Sequence, residues 1–158
     1  MSRLVASTPD APWLPAGGLA EVVADPGGTA PAPTGLVRLL VRRGGHAFCV
    51  PRADSRKADL PTRHVPDLGD GRAAAERLAH EVLGADEGLR LLGYVRNVVA
   101  AGGEDYPWPT PVAHFAVWEA EGGPKVPGTW LPLAGPELRD RHWWPLCAAR
   151  QRRPRAPV

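Results

Sequence analysis

Cysteine is nearly absent. Cys49 and Cys147 are the only two in 158 residues, and neither stands at the short Cys or His spacing of a zinc site or redox pair. A disulfide scaffold is thereby excluded, and a reducing, cytoplasmic compartment is expected. Long apolar runs are also missing. No stretch approaches the roughly twenty residues needed to span a bilayer, and the N-terminus carries Arg3 without the apolar core of a signal peptide, so no membrane partner is expected. Charge of one sign is not in excess either: 19 Lys and Arg face 17 Asp and Glu, for a formal net charge of +2. That leaves no chain-wide electrostatic footprint for nucleic acid, and none is expected as a partner. Several catalytic signatures are lacking too. There is no phosphate loop closing on Gly-Lys-Ser/Thr, no dinucleotide fingerprint and no nucleophile elbow, and His80-Glu81 lacks the second His of a zinc-protease helix.

What is present is the composition of one globular domain, 44% hydrophobic and 23% charged, in a chain long enough to bury a sizeable core. Residues 1–34 form a Pro- and Gly-rich arm in which Leu19 to Ala24 reads as a short edge strand, with Trp13 and Leu14 pinning the arm to the core. The folded domain is expected over 35–149. It opens with a hairpin in which Leu36 to Val41 and Ala47 to Val50 are joined at Gly44-Gly45, and a polar loop follows from Arg52 to Asp59. A helix is predicted over Arg72 to Leu83, with Asp70 as N-cap and Gly84 as the stop. Strands follow over Leu89 to Val99, Val112 to Glu119 and Trp130 to Leu133, and a last helix begins near Gly135-Pro136. Trp143-Trp144 in that helix reads as core or as a contact between two copies of the chain, a homodimer. Residues 150–158, with Arg150, Arg152, Arg153 and Arg155, read as a basic, flexible tail. Strands alternating with helices imply an α/β or α+β layered fold.

The segment from Leu60 to Ala85 carries the most specific pattern. Leu60-Pro61, Arg77, Glu81 and Gly84 fall, without gaps, on the Leu-Pro, Arg, first paired Glu and closing Gly of the Nudix box, and the chain resembles the Nudix hydrolase superfamily. The order of flanking elements over roughly residues 35 to 146 is similar as well. The resemblance implies an α/β/α sandwich with a mixed central sheet, a hydrolase-type site and a small-molecule substrate. The departures are specific: Thr62 and Arg63 replace the family's glycine pair, Gly69 the first Glu, Leu78 the Glu after Arg, and Val82 the second paired Glu. In the family the helix glutamates hold magnesium or manganese, which needs several oxygen ligands converging at about 2.0–2.1 Å. Positions 78, 81 and 82 share one helix face, and two of the three are hydrocarbon here.

Glu81 is therefore the candidate acid–base residue or remaining metal ligand, with an ion pair to Arg77 as its ordinary structural role. His80 is a second candidate for proton transfer. Asp67 and Asp70, or Glu104 and Asp105, are the replacement carboxylates that would complete a magnesium or manganese site if they converged. Arg77 and Gly84 are structural members of the box. Arg63 and Arg96 are candidates to hold a phosphate or carboxylate, and Tyr106 and Trp108, on a stiff Pro-rich loop, to stack on a flat ligand. His64 and His114 are weaker candidates. The expected function is a Nudix-superfamily enzyme with a non-standard pocket, acting on a small phosphorylated or aromatic metabolite. Two alternatives stand beside it: an active hydrolase of nucleoside-diphosphate-linked substrates using replacement carboxylates, and a ligand-binding module without turnover.

Overall fold

A computed structural model describes the backbone of residues 1–151 and the side chains of residues 1–148. The basic tail expected over 150–158 lies outside the described side chains. Thirteen elements follow one another: β1 (Arg3–Thr8), β2 (Leu19–Ala24), β3 (Thr34–Leu40), β4 (Arg42–Arg43), β5 (His46–Pro51), β6 (Ala58–Asp59), β7 (Thr62–His64), α1 (Arg72–Leu83), β8 (Arg90–Val98), β9 (Val112–Glu119), β10 (Thr129–Pro132), α2 (Pro136–Arg139) and α3 (Trp144–Gln151).

The main sheet has the order β1-β2-β8-β9-β3-β7. It is mixed, because β3 runs parallel to β9 while the other neighbours are antiparallel. β3 and β9 are apolar almost throughout and buried on both sides, as strands covered on two faces must be. On one face Val37, Leu39, Leu91, Tyr94 and Trp118 pack under α1. On the other, Leu36, Leu40, Val95, Phe115 and Val117 pack under Leu138 and Leu146 of the C-terminal helices and Trp143 between them. This is the α/β/α sandwich with a mixed central sheet that the resemblance implies. No helix among the described residues is long and apolar enough to cross a membrane.

Several elements are placed differently from their expectation. Leu19–Ala24 is not an edge strand: it pairs with β8 on one side and with β1 on the other, so β1 is the edge. The hairpin at Gly44-Gly45 forms between β4 and β5, with Arg42 opposite Ala47 and Arg43 opposite His46. β3 turns away to pair with β7 and β9, because its two apolar faces are covered only in the main sheet. The second, smaller sheet runs β10-β5-β4, and β6, inside the expected polar loop, pairs with β5. The C-terminal helix is two helices, α2 and α3, separated by residues 140–143. Trp143 is buried in the core, the first of the two places expected for it.

α1 follows from its sequence. Ala74, Ala75, Leu78, Ala79, Val82 and Leu83 form one buried stripe, and Gly84 ends the helix in the left-handed conformation with its N–H on the His80 carbonyl, as glycine does most readily. At the other end the N-cap is Gly71, one residue after the expected Asp70. The Asp70 carboxylate accepts from the Arg72 N–H at 3.0 Å, so it still satisfies a first-turn donor, while the backbone reverses at Gly71 with φ 79°. A Cβ there would meet Val37 Cγ1 at 2.8 Å and Thr34 Cγ2 at 3.1 Å. Gly71→Ala combines this crowding with a left-handed φ and is expected to cost on the order of 1–3 kcal/mol, read as a lowered urea midpoint with an unchanged slope. An unchanged midpoint would mean the helix start repacks freely.

Candidate functional site

β7 divides two hollows. In the β3–β7 ladder Leu36 faces His64, Val37 faces Arg63 and Arg38 faces Thr62. Successive side chains of a strand point to opposite faces, so Arg63 leans toward α1 and His64 toward the opposite face.

On the α1 side lies a cleft of about 280 Å³ lined by Arg63, Asp67, Asp70, Gly71, Ala73 and Arg77, among others. Glu81 stands on the solvent flank of α1, its ion pair made with Arg63 at 3.5 Å and not with the expected Arg77. His80 turns to Asp86 at 3.4 Å, and Glu76 pairs with Arg72 at 3.2 Å. Asp67 accepts from the Gly69 N–H and Asp70 from the Arg72 N–H, each at 3.0 Å, so both replacement carboxylates are engaged by local backbone. Leu78 and Val82, where the family carries glutamates, are 3% and 2% exposed. They pack in the cluster that contains Phe48 and Trp118, against Val126 and Trp130. Among the described residues no three His, Cys, Asp or Glu side chains come together as a metal site. The donor set does not fit the divalent ion the family uses: two ligand positions are buried hydrocarbon, and the carboxylates nearest the helix hold backbone or an arginine.

On the opposite face is a second hollow, of about 350 Å³, that draws on six segments of the chain. Its floor is a row of main-sheet side chains, Leu36, Phe115 and Val95, which stand opposite one another in register. Trp108 forms one wall, with its ring edge-on to Phe115 at 4.9 Å and stacked with His64 at 5.9 Å. It fits there because Gly35 has no side chain; a Cβ at Gly35 would lie 2.7 Å from the Trp108 ring. Trp13 stacks on His142 at 4.4 Å and forms the facing wall, so the expected pinning of the arm by Trp13 is made through His142. Arg38, Asn97, Asp105 and Tyr106 complete the lining. Three polar atoms here, Arg38 Nε, Asn97 Oδ1 and the Tyr106 hydroxyl, are shut off from solvent without a hydrogen-bond partner. Buried polar atoms are rarely left so.

Behind Arg38 lies a charged knot. Asp59, 1% exposed, accepts from Leu60 N at 2.8 Å and Trp143 Nε1 at 2.9 Å. It pairs with Arg52 at 2.6 Å and with Arg141 at 3.7 Å. Burial lowers the Arg38 guanidinium from its ordinary range; Asp59 opposes the shift, and Arg52 and Arg141 add to it. His142 is likewise lowered, first by desolvation of its ring and then by the nearby Arg38 and Arg52. His114 is lowered by burial, its Nδ1 3.0 Å from the Pro33 carbonyl and its ring edge-on to Tyr94.

Of the residues singled out in the sequence, the structure brings Arg63, Asp67, Asp70 and Arg77 around one cleft beside Glu81, and Tyr106 and Trp108 around the other hollow. Arg96 joins neither: it pairs with Glu21 at 3.0 Å across the β2–β8 ladder. His80 lies apart with Asp86, and Glu104 lines neither hollow. The residues missed were Arg38, Asn97 and His142. For Arg38 and Asn97 a signal existed, a polar side chain inside an otherwise apolar strand.

A crystal structure of a mutant pyrophosphohydrolase BsRppH from Bacillus subtilis matches with a TM-score of 0.56 at 16% identity, over 87% of this chain and 84% of that one. An ADP compounds hydrolase matches with a TM-score of 0.48 at 12% identity, over 95% and 92%. No family model and no curated protein sequence matches the chain. At 16% identity the likeness to the pyrophosphohydrolase is one of fold, and it agrees with the Nudix-like sandwich.

Two outcomes are expected from this geometry. Asp59→Ala leaves Arg52, Arg141 and Trp143 without their common acceptor and should cost about 3 kcal/mol, the lower end for breaking a buried pair because Arg52 reaches solvent, read by urea unfolding. Because His114 and His142 are lowered in the fold, the unfolded chain binds more protons below its histidine value of about 6.5. Stability should therefore fall as pH drops from about 6.5, and less steeply in His142→Asn; a flat profile between pH 7 and pH 5 would contradict both shifts.

Proposed function

We propose that this Nudix-fold protein binds a small flat ligand in the hollow walled by Trp108 and Trp13, and that α1 does not support magnesium-dependent diphosphate hydrolysis. The observation that carries the reading is the set of buried, unpartnered polar atoms of Arg38, Asn97 and Tyr106 around an aromatic-walled cavity. Binding sites have this make-up, mostly apolar walls with a few converging polar groups, and a bound molecule would supply the missing hydrogen bonds. The aromatic walls suit a planar ring. Glu81, exposed and held by Arg63 on the other side of β7, does not reach this ligand, so the ligand-binding module is preferred to the enzyme acting through Glu81.

One observation favours a second reading, hydrolysis of a diphosphate-linked substrate: Arg63, Arg77, Asp67 and Asp70 line one cleft beside Glu81. A fold neighbour is a pyrophosphohydrolase.

A two-part experiment separates them. Planar heteroaromatic compounds should raise the melting temperature of the chain, and Gly35→Val, which pushes on Trp108, should abolish the rise. Magnesium titration should show no stoichiometric micromolar site, and ADP-ribose should not be hydrolysed faster by the chain than by Glu81→Gln. Tight magnesium binding together with turnover lost in Glu81→Gln would replace the binding reading with the hydrolase one.

A further inference from the structure

The chemistry of the aromatic-walled hollow narrows its ligand. Across the floor, β3 and β9 run parallel and β9 and β8 antiparallel, with Leu36, Phe115 and Val95 in one row. Arg38 stands opposite Val117, one row toward one end of the strands, and Asn97 opposite Ala113, one row toward the other end. Two strand spacings across and four residues along place their Cα atoms roughly 16 Å apart on the diagonal. After both side chains have reached inward, one ring or two fused rings fit between them, in keeping with a volume near the small end of ligand pockets.

The two ends differ in charge. At the Arg38 end, three guanidinium groups, Arg38, Arg52 and Arg141, surround one carboxylate, Asp59. Asp59 is taken: it holds Arg52, Arg141, the Trp143 indole N–H and the Leu60 amide. Arg38 makes no hydrogen bond or ion pair with a described residue, and its Nε is shut off from solvent. His142, also beside Arg38, is held toward its neutral form and adds no negative charge. The carboxylate that lines the hollow, Asp105, is exposed on the loop that carries Tyr106, the residue adjoining it. A guanidinium Nε shut off from solvent without a hydrogen-bond partner is costly, and the planar fork matches a carboxylate in two-point fashion. At the far end Asn97 and Tyr106 offer uncharged hydrogen-bonding groups. The walls between are Trp108 and Trp13, over the Phe115 floor.

We infer that the ligand is a planar aromatic acid, its carboxylate on Arg38, its ring between Trp108 and Trp13, and a hydroxyl or amino substituent toward Asn97 and Tyr106. This rests on the reading of the hollow as a ligand site. It calls for one negative charge at the Arg38 end, and so differs from recognition of a neutral ring, which would leave the guanidinium unpaired.

The test compares matched acids and amides on the full chain by titration calorimetry and thermal shift: para-hydroxybenzoate with para-hydroxybenzamide, and indole carboxylate with indole carboxamide. Cyclohexane carboxylate serves as an acid without an aromatic face. The aromatic acids should bind at least about tenfold more tightly than their amides and than the cyclohexane acid. Arg38→Met should remove the preference for acid while still binding the amides. Asn97→Leu, which leaves the charged end intact, should weaken the hydroxylated acid and keep the acid preference. Equal affinity for acid and amide would overturn the aromatic acid and leave the ligand site standing. An acid preference retained in Arg38→Met would overturn the role of Arg38. Binding of none of the five compounds would overturn both the acid and the site. The comparison of acid with amide on the unaltered chain decides the matter even if Arg38→Met does not fold.

Discussion

Asp59 is a carboxylate in the interior of a small sandwich, and the rest of the molecule is arranged around keeping it there. Burying an ionised carboxylate costs several kcal/mol unless its oxygens are paired. Here one oxygen takes the Leu60 amide and the Trp143 indole N–H, and the other takes Arg52 and, at longer range, Arg141. Those donors come from the connection after β5, from the start of the box segment and from the stretch between α2 and α3. Arg141 also donates to the Ala58 carbonyl at 2.7 Å. A single side chain thus joins the smaller sheet, the loop leading to β7 and the C-terminal helices. The same environment silences the chemistry of Cys49, whose thiol is pushed up to about 12 by burial and then by Asp59. And because Asp59 is filled by other donors, Arg38 lines the hollow with no hydrogen bond or ion pair to a described residue.

On the other face of the sheet the opposite exchange has been made. A helix that carries carboxylates at positions 78 and 82 must leave a polar, solvent-filled gap beside it to hold cations. With Leu and Val there, the gap is closed: the two side chains join Phe48, Trp118, Val126 and Trp130 in one cluster, and the Lys125 N–H reaches the Val82 carbonyl at 2.6 Å. Removing buried methylenes of this kind typically costs 2–5 kcal/mol for a Leu, so the hydrocarbon is a structural asset of this fold. Glu81, one position from the buried stripe, remains outside with Arg63.

What could be read in the sequence was what local chemistry controls. α1 spans the predicted residues because its Ala and Leu spacing and Gly84 act within the helix, and β9 spans Val112–Glu119 as expected because an apolar run bounded by a Pro-rich loop leaves little alternative. Errors appear where the partner is distant. β2 became an interior strand through β1, a segment of ordinary composition, and β3 left the predicted hairpin for partners 28 and 79 residues further on, Leu36 standing opposite His64 on one side and Phe115 on the other. The N-cap moved from Asp70 to Gly71 because the chain reverses there with a left-handed φ and passes too close to Val37 and Thr34 for a Cβ, neighbours that lie more than thirty positions earlier. Arg38 was visible as a charge within Leu36-Val37-Arg38-Leu39-Leu40. Its lack of a partner was not, since that depends on how Asp59, 21 positions later in the chain, is occupied.

β7 connects these two exchanges. Thr62, Arg63 and His64 pair with β3 as a short strand. The register then assigns each side chain to a face, since a slip by one residue would exchange them. Arg63 is delivered to Glu81, and His64 is delivered to Trp108, backing the wall of the hollow. The same short strand therefore serves both faces of the sheet. Leu78 and Val82 lie in the core beneath α1, while Arg38 lines the hollow by Trp108 on the far side of the sheet.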